Sequence, residues 1–309
     1  MMQLPRMNAG ARAFLDRLAA EGGPPIYTLP PEVVRRQHNA RQAELNLPPL
    51  HACDMREVQV TDDVAARLYL PDGEGPAPLM VFFHGGGWML GTLDAVDALC
   101  QDLCHQSGWA VLSVDYRLAP EHPFPAPIED GRAALRLARS GDLGDRIDPT
   151  RLAVAGDSAG GNIAAVLALE EGRALTAQVL IYPVTDRSRT HGSMERLGKG
   201  LNLDKAIMDW FWDNYVTDPG LHGDWRVSPL CFSGTTAPAP TMVLLAGYDP
   251  LFDEGLAYAD HLAGLGTPVE TLIFPDQIHG FANQTALSEA PYAMRDGIAG
   301  YLRRRALAV

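Results

Sequence analysis

The chain has 309 residues, 47% of them hydrophobic and 20% charged, enough core for one large α/β domain or two small ones. Its 25 basic residues against 38 acidic ones leave a formal charge of −13, a field that repels nucleic acid, anionic membrane and polyanionic substrates, and otherwise reads as a solvated acidic surface. Nothing apolar follows Met1-Met2-Gln3-Leu4-Pro5-Arg6 in the manner of a signal peptide, and apolar runs such as 79–83 and 242–246 are too short to span a bilayer, so a cytoplasmic protein without stable membrane insertion is expected.

The first fifty residues read as helical and proline-punctuated. Residues 57–60 and 66–70 alternate weakly and are bounded by Thr61-Asp62-Asp63 and Pro71-Asp72-Gly73, which predicts a hairpin at an antiparallel sheet edge. From about Met80 the pattern changes. Candidate strands at 79–83, 110–114, 152–155, 178–181, 241–245 and 270–274 alternate with helical stretches such as 128–139 and 161–170. Strand–helix–strand order forces crossover connections, which make the strands parallel and bury both faces; runs of Val, Leu and Ile fit that.

Residues 186–226 break the rhythm and carry Trp210, Phe211, Trp212, Tyr215 and Trp225. An insertion there sits above the carboxyl ends of the strands, where open α/β sheets bind ligands. The expectation is one catalytic domain over 1–309, with a lid built from about 1–50 and about 186–226. Cys53, Cys100, Cys104 and Cys231 match no zinc template. Cys100 and Cys104 lie four apart with His105 beside them, which admits a metal site or a reactive thiol; buried small hydrophobes in a reducing compartment is the plainer reading.

The strongest chemical signal is Gly156-Asp157-Ser158-Ala159-Gly160, placed between an apolar strand and a helix-prone stretch. A G-x-S-x-G there is a nucleophile elbow, so tight that only small residues fit two places either side of the serine. His84-Gly85-Gly86-Gly87-Trp88 directly follows the strand at 79–83. Three glycines leave backbone N–H groups free to hold an oxyanion, joined by the N–H of Ala159 after the nucleophile. A phosphate cradle is the alternative for such a loop, but neither G-x-G-x-x-G nor G-K-[ST] is present there.

A serine needs a base, and the base an orienting acid, in the order serine, acid, histidine for this kind of fold. Asp249 and His279 each fall just beyond a strand's carboxyl end, on the same edge as Ser158. Asp253 and Glu254, further into the following helix, are the rivals to Asp249. His38 and His51 precede the parallel strands, His105 and His261 lie on helices, His122 in a proline-rich loop, and His191 and His222 in the lid. His84 is better suited to holding the glycine loop.

The motifs His84-Gly85-Gly86-Gly87-Trp88, Asp115-Tyr116-Arg117-Leu118-Ala119-Pro120-Glu121, Gly156-Asp157-Ser158-Ala159-Gly160-Gly161, Asp249-Pro250-Leu251 with Asp253-Glu254-Gly255, and His279-Gly280-Phe281 stand in this order. Together, over about Met55 to the C-terminus, the chain resembles the bacterial hormone-sensitive-lipase-like esterases, in the Gly-Asp-Ser-Ala-Gly subgroup. The resemblance implies an α/β-hydrolase fold: a mostly parallel eight-stranded sheet flanked by helices under a helical cap. It implies carboxylesterase activity on small uncharged esters of short to medium acyl chain, through an acyl-enzyme and without cofactor or metal. Ser158, Asp249 and His279 match the family triad; Gly86, Gly87 and Ala159 match its oxyanion donors, with Gly85 adjacent.

The aromatic helix looks like part of the cap, which makes Trp88, Trp212 and Tyr215 candidates for a substrate-binding wall, with cap-to-core packing as the alternative. Many relatives form homodimers. Phe252 departs from the pattern, since relatives often carry arginine there. The same triad also suits an amidase or formamidase, and a non-catalytic small-ligand receptor is the reading of a different class, set against the presence of both base and acid.

Overall fold

The apolar runs that follow Met80 lie side by side at the centre of the molecule, in a computed structural model that describes residues 4–187 and 191–307. Two helices precede them, α1 (Ala9–Glu21) and α2 (Pro31–Leu45). Asn8 starts α1 by accepting from the N–H groups of Gly10 and Ala11, and the fixed φ of Pro31 suits the first position of α2. The chain continues through β1 (Asp54–Thr61), β2 (Val64–Leu70), β3 (Ala77–Phe83), α3 (Asp97–Ser107), β4 (Ala110–Val114), α4 (Ala126–Ser140), β5 (Ile147–Asp157), α5 (Ala159–Glu171) and β6 (Ala177–Ile181). Then come the short helix α6 (Gly192–Leu197) and α7 (Lys205–Tyr215), followed by β7 (Thr241–Tyr248), α8 (Phe252–Gly264), β8 (Val269–Ile278) and α9 (Ala290–Leu307). Of the segment 186–226, residues 188–190 lie outside the described residues, as do Met1, Met2 and Gln3 of the N-terminal segment.

The eight strands form one sheet in the order β1-β2-β4-β3-β5-β6-β7-β8. β3 through β8 pair in parallel, while β1 with β2 and β2 with β4 pair antiparallel, at the edge where the weak alternation pointed. Two strands outrun their sequence signals. β5 begins at Ile147, where Ala77↔Ile147 and Pro78↔Asp148 pair across a register shift that Asp148, Thr150 and Arg151 conceal. β8 runs past Pro275, tolerated because β8 is an edge strand hydrogen-bonded on one side only.

Both faces of the sheet are covered. Leu79, Val81 and Phe83 enter one core, and Met80 and Phe82, the alternate residues of the same strand, enter the other. Each such side chain contributes about 1.5–3 kcal/mol when fully buried. Cys100 and Cys104 are packed in the second core. Among the described residues no group of three or more His, Cys, Asp and Glu side chains is placed to hold a metal ion, and no helix is long and apolar enough to cross a membrane.

The topology also positions a site. β4 lies on one side of β3 and β5 on the other, so the connections that leave β3 and β5 diverge and open a crevice at their carboxyl ends. Phe83 and Gly156 are register partners, which sets the glycine loop directly beside the serine turn.

Candidate active site

β5 ends at Asp157 and α5 begins at Ala159, leaving Ser158 alone in the turn with φ 55° and ψ −115°. That backbone costs a non-glycine residue about 1–3 kcal/mol, and the surroundings impose it. The Ser158 N–H donates to the Ile181 carbonyl at 2.9 Å, and Val184 N–H donates to the Ser158 carbonyl at 3.2 Å. A Cβ on Gly156 would stand 2.4 Å from the Gly160 backbone, and one on Gly160 1.9 Å from the Phe83 carbonyl oxygen. Both positions therefore require glycine, which is the elbow's steric rule.

His279, one residue past β8, faces the serine: its Nε2 is 2.9 Å from Ser158 Oγ. Its Nδ1 is 2.7 Å from Asp249 Oδ2, on a carboxylate that is 1% exposed just beyond β7. An acid at Nδ1 fixes the tautomer. Nδ1–H donates to Asp249, and Nε2 is left as the acceptor for the Ser158 hydroxyl. The other Asp249 oxygen accepts from Leu251 N–H at 2.8 Å, the Tyr182 ring leans on the imidazole at 4.6 Å, and Asn202 Nδ2 donates to the His279 carbonyl at 3.0 Å.

The rival acids are occupied elsewhere. Asp253 accepts from Ser193 N–H at 2.7 Å and pairs with Arg196 at 3.2 Å, so an arginine from α6 stands by the acid although Phe252 replaces the expected one. Glu254 accepts from the N–H groups of Thr185 and Asp186, and burial holds its carboxyl well above the usual carboxylate range.

The three loop glycines, equivalent in sequence, differ in structure. The N–H of Gly85 is spent on Asp157 Oδ1 at 2.7 Å, so the expectation that Gly85 contributes an oxyanion donor is corrected. The N–H groups of Gly86, Gly87 and Ala159 have no acceptor among the described residues. Gly86 has φ 121°, and a Cβ there would lie 2.2 Å from the Leu90 carbonyl oxygen. His84 braces the loop: its Nδ1–H donates to the Gly85 carbonyl at 2.8 Å, its own carbonyl accepts from the Tyr116 hydroxyl at 2.8 Å, and its ring stacks on Tyr116. Asp157, the unassigned member of the pentapeptide, thus ties elbow to loop. Burial pushes its carboxyl up to about 6, against the lowering effects of Gly85 N–H, His279 and the Tyr182 hydroxyl.

Ser158 and His279 open into a cavity of about 150 Å³. Its other walls come from α2 (His38, Arg41, Gln42) and from α7 with the loop before it (Leu203, Ile207, Phe211). Trp88, Trp212 and Tyr215, expected as a substrate wall, do not line it. All three are fully buried in a stack, with Trp88 4.2 Å from Tyr215 and 4.5 Å from Trp212, behind the glycine loop. Packing of the aromatic helix onto the core is what these rings do, and Phe211, one residue from Trp212, is the ring facing the cavity. Nothing in the sequence marks His38 and Arg41 as site residues, because a polar helix remote from every motif carries no signal of what it faces.

A sequence profile described as the α/β-hydrolase fold matches residues 80–283. The chain is 44% identical over 233 residues to the carboxylic ester hydrolase LipN of Mycobacterium tuberculosis, a match covering 72% of this chain and 61%, under two thirds, of that one. It is 41% identical over 233 residues to an ethyl acetate hydrolase of Pseudomonas putida, covering 72% of this chain and 73% of that one. Among solved structures, a thermostable esterase from Pseudomonas putida ECU1011 superposes with a TM-score of 0.91 at 33% identity, covering 98% of this chain and 99% of the other.

Proposed function

This chain belongs to the hormone-sensitive-lipase-like carboxylesterase family of the α/β-hydrolase fold, and from that premise we propose that it hydrolyses small carboxylic esters of short to medium acyl chain with Ser158 as nucleophile, His279 as base and Asp249 as orienting acid. The observation that carries the reading is the continuous chain of contacts from Ser158 Oγ through His279 to Asp249, at 2.9 and 2.7 Å.

In the first step the Ser158 oxygen bonds to the ester carbonyl carbon while its proton passes to His279 Nε2. The carbonyl oxygen becomes an oxyanion facing the N–H groups of Gly86, Gly87 and Ala159; one such donor lowers the barrier by about 3–4 kcal/mol. The C–O bond to the alcohol then breaks as His279 returns the proton to the leaving alkoxide, leaving an acyl-Ser158 ester. Water repeats the sequence, giving up its proton to His279 and releasing the acid. Asp249 stabilises the imidazolium throughout. The substrate is uncharged at the end that reacts, since Asp157 stands beside Ser158. The segment of about 1–50, which carries α1 and α2, and that of about 186–226, which carries α6 and α7, act as the cap; the cavity walls from α2 and α7 support that division.

Ser158→Ala is expected to lower turnover of a p-nitrophenyl butyrate-type ester by several orders of magnitude. Wild-type turnover by that variant would overturn the assignment.

A further inference from the structure

The wall of the catalytic cavity furthest from any motif carries a cation without a partner among the described residues. Arg41 on α2 lines both the cavity that holds Ser158 and a second groove on the outer side of α2, and Ile26 is the other residue the two share. Arg41 therefore stands where the cavity meets the surface. In a chain with 38 acidic and 25 basic residues, Arg41 makes no hydrogen bond or ion pair with any described residue. The acid one turn along α2, Glu44, is engaged by Arg17 at 3.6 Å, which also pairs with Glu21.

The cavity side of Arg41 is built of neutral polar groups. Gln42 is an amide, and His38 is kept uncharged because burial, with His84 and Arg41 nearby, pushes its pKa down to about 4. The carboxylate among the lining residues, Asp157, belongs to the Ser158 end. The cavity is thus polarised along its length, with an acid beside the reacting carbonyl and a free guanidinium at the mouth. The net charge of −13 does not cancel this, because at physiological salt exposed charges are screened beyond roughly 8–10 Å and a contact pair is not.

We propose that Arg41 is a specificity-determining residue that holds a carboxylate at the far end of the substrate, so that this site takes monoanionic esters, either hemiesters of dicarboxylic acids or acyloxy acids. The guanidinium offers paired N–H donors that match a carboxylate in two-point contact, a geometry a neutral ester of the same length does not exploit. The inference rests on Ser158 being the nucleophile of an ester hydrolase.

The test compares kcat/KM for a charged ester and a neutral one of matched length, in wild type and in Arg41→Gln. One arm places the carboxylate on the acyl side (monoethyl succinate, adipate and sebacate against the corresponding diethyl esters). The other places it on the alcohol side (an acetoxyalkanoate against its methyl ester). Arg41→Gln is expected to lower the charged-to-neutral ratio about tenfold in one arm, through KM, since the contact is made equally in ground and transition states. Arg41→Lys should keep part of the preference, and high salt should draw the wild-type ratio towards that of Arg41→Gln.

A ratio that stays within about twofold of wild type in both arms would overturn the inference while leaving the hydrolase reading intact. Failure of the wild type to cleave any of the esters would overturn that reading, and the inference with it. Should Arg41→Gln not fold, competitive inhibition of the wild type decides: adipate inhibiting better than the neutral adipamide supports the contact, and equal inhibition overturns it.

Discussion

Replacing Asp157 with asparagine removes a charge that the fold carries at a cost. The side chain is 5% exposed, accepts the Gly85 N–H at 2.7 Å, and has its carboxyl pushed by burial from 3.8 up to about 6. That difference corresponds to about 3 kcal/mol between the protonated and ionised forms. The folded protein takes up this proton at higher pH than the unfolded chain does. Between about 6 and 3.8 the native state therefore binds more protons, and stability contributed by this group rises as the pH falls. The cost is complete well above pH 6 and is gone below the unfolded value. Asparagine still offers an oxygen to Gly85 and never ionises.

The unfolding free energy of Asp157→Asn relative to wild type should accordingly carry a favourable part of about 3 kcal/mol at pH 8, falling to about half of that at pH 5. Urea unfolding of both proteins at the two pH values measures it, because any fixed packing difference cancels in the comparison. A gap that is the same at pH 5 and pH 8, or that moves the other way, would refute the reasoning. Activity should move oppositely to stability. The carboxylate also faces His279, so the variant, with less support for the imidazolium, is expected to lose several-fold in kcat at pH 8.

Asp249→Asn should lower kcat by about 10⁴-fold, the loss expected when the tautomer-setting acid is neutralised, with the fold retained by circular dichroism. Trp212→Ala should cost about 3–5 kcal/mol of stability, as a fully buried ring removed from the stack with Trp88 and Tyr215, and leave acyl-chain preference as it is. Phe211→Ala, on the cavity wall, should shift preference towards longer chains in a panel of p-nitrophenyl esters, and should also lower stability, because that ring is packed in the same core.

The strands β3 to β7 were readable because a parallel strand buried on both faces leaves an uninterrupted apolar run, as 79–83 does; β8, a half-buried edge strand, shows only the shorter run Leu272-Ile273-Phe274. Ser158, Asp249 and His279 could be singled out because each follows such a run, so their shared edge was implied by strand direction alone. What lay hidden was set by contacts distant in the chain. Gly85, Gly86 and Gly87 are indistinguishable in sequence, and only the Asp157 carboxylate, 72 residues on, takes the first out of the donor set. α7 is aromatic on more than one face, so the rotation that turns Phe211 to the cavity and Trp212 to the core is decided by packing against Trp88. The reach of β5 back to Ile147 depends on pairing with Ala77, which polar residues mask.

Every step of the proposed reaction depends on Ser158 being the activated nucleophile. Treatment with a fluorophosphonate, followed by peptide mass mapping, should find a single adduct on Ser158 whose formation tracks loss of esterase activity and is slowed by orders of magnitude in His279→Ala. Full esterase activity in a protein left unlabelled at Ser158, or inactivation by an adduct on a different side chain, would contradict it.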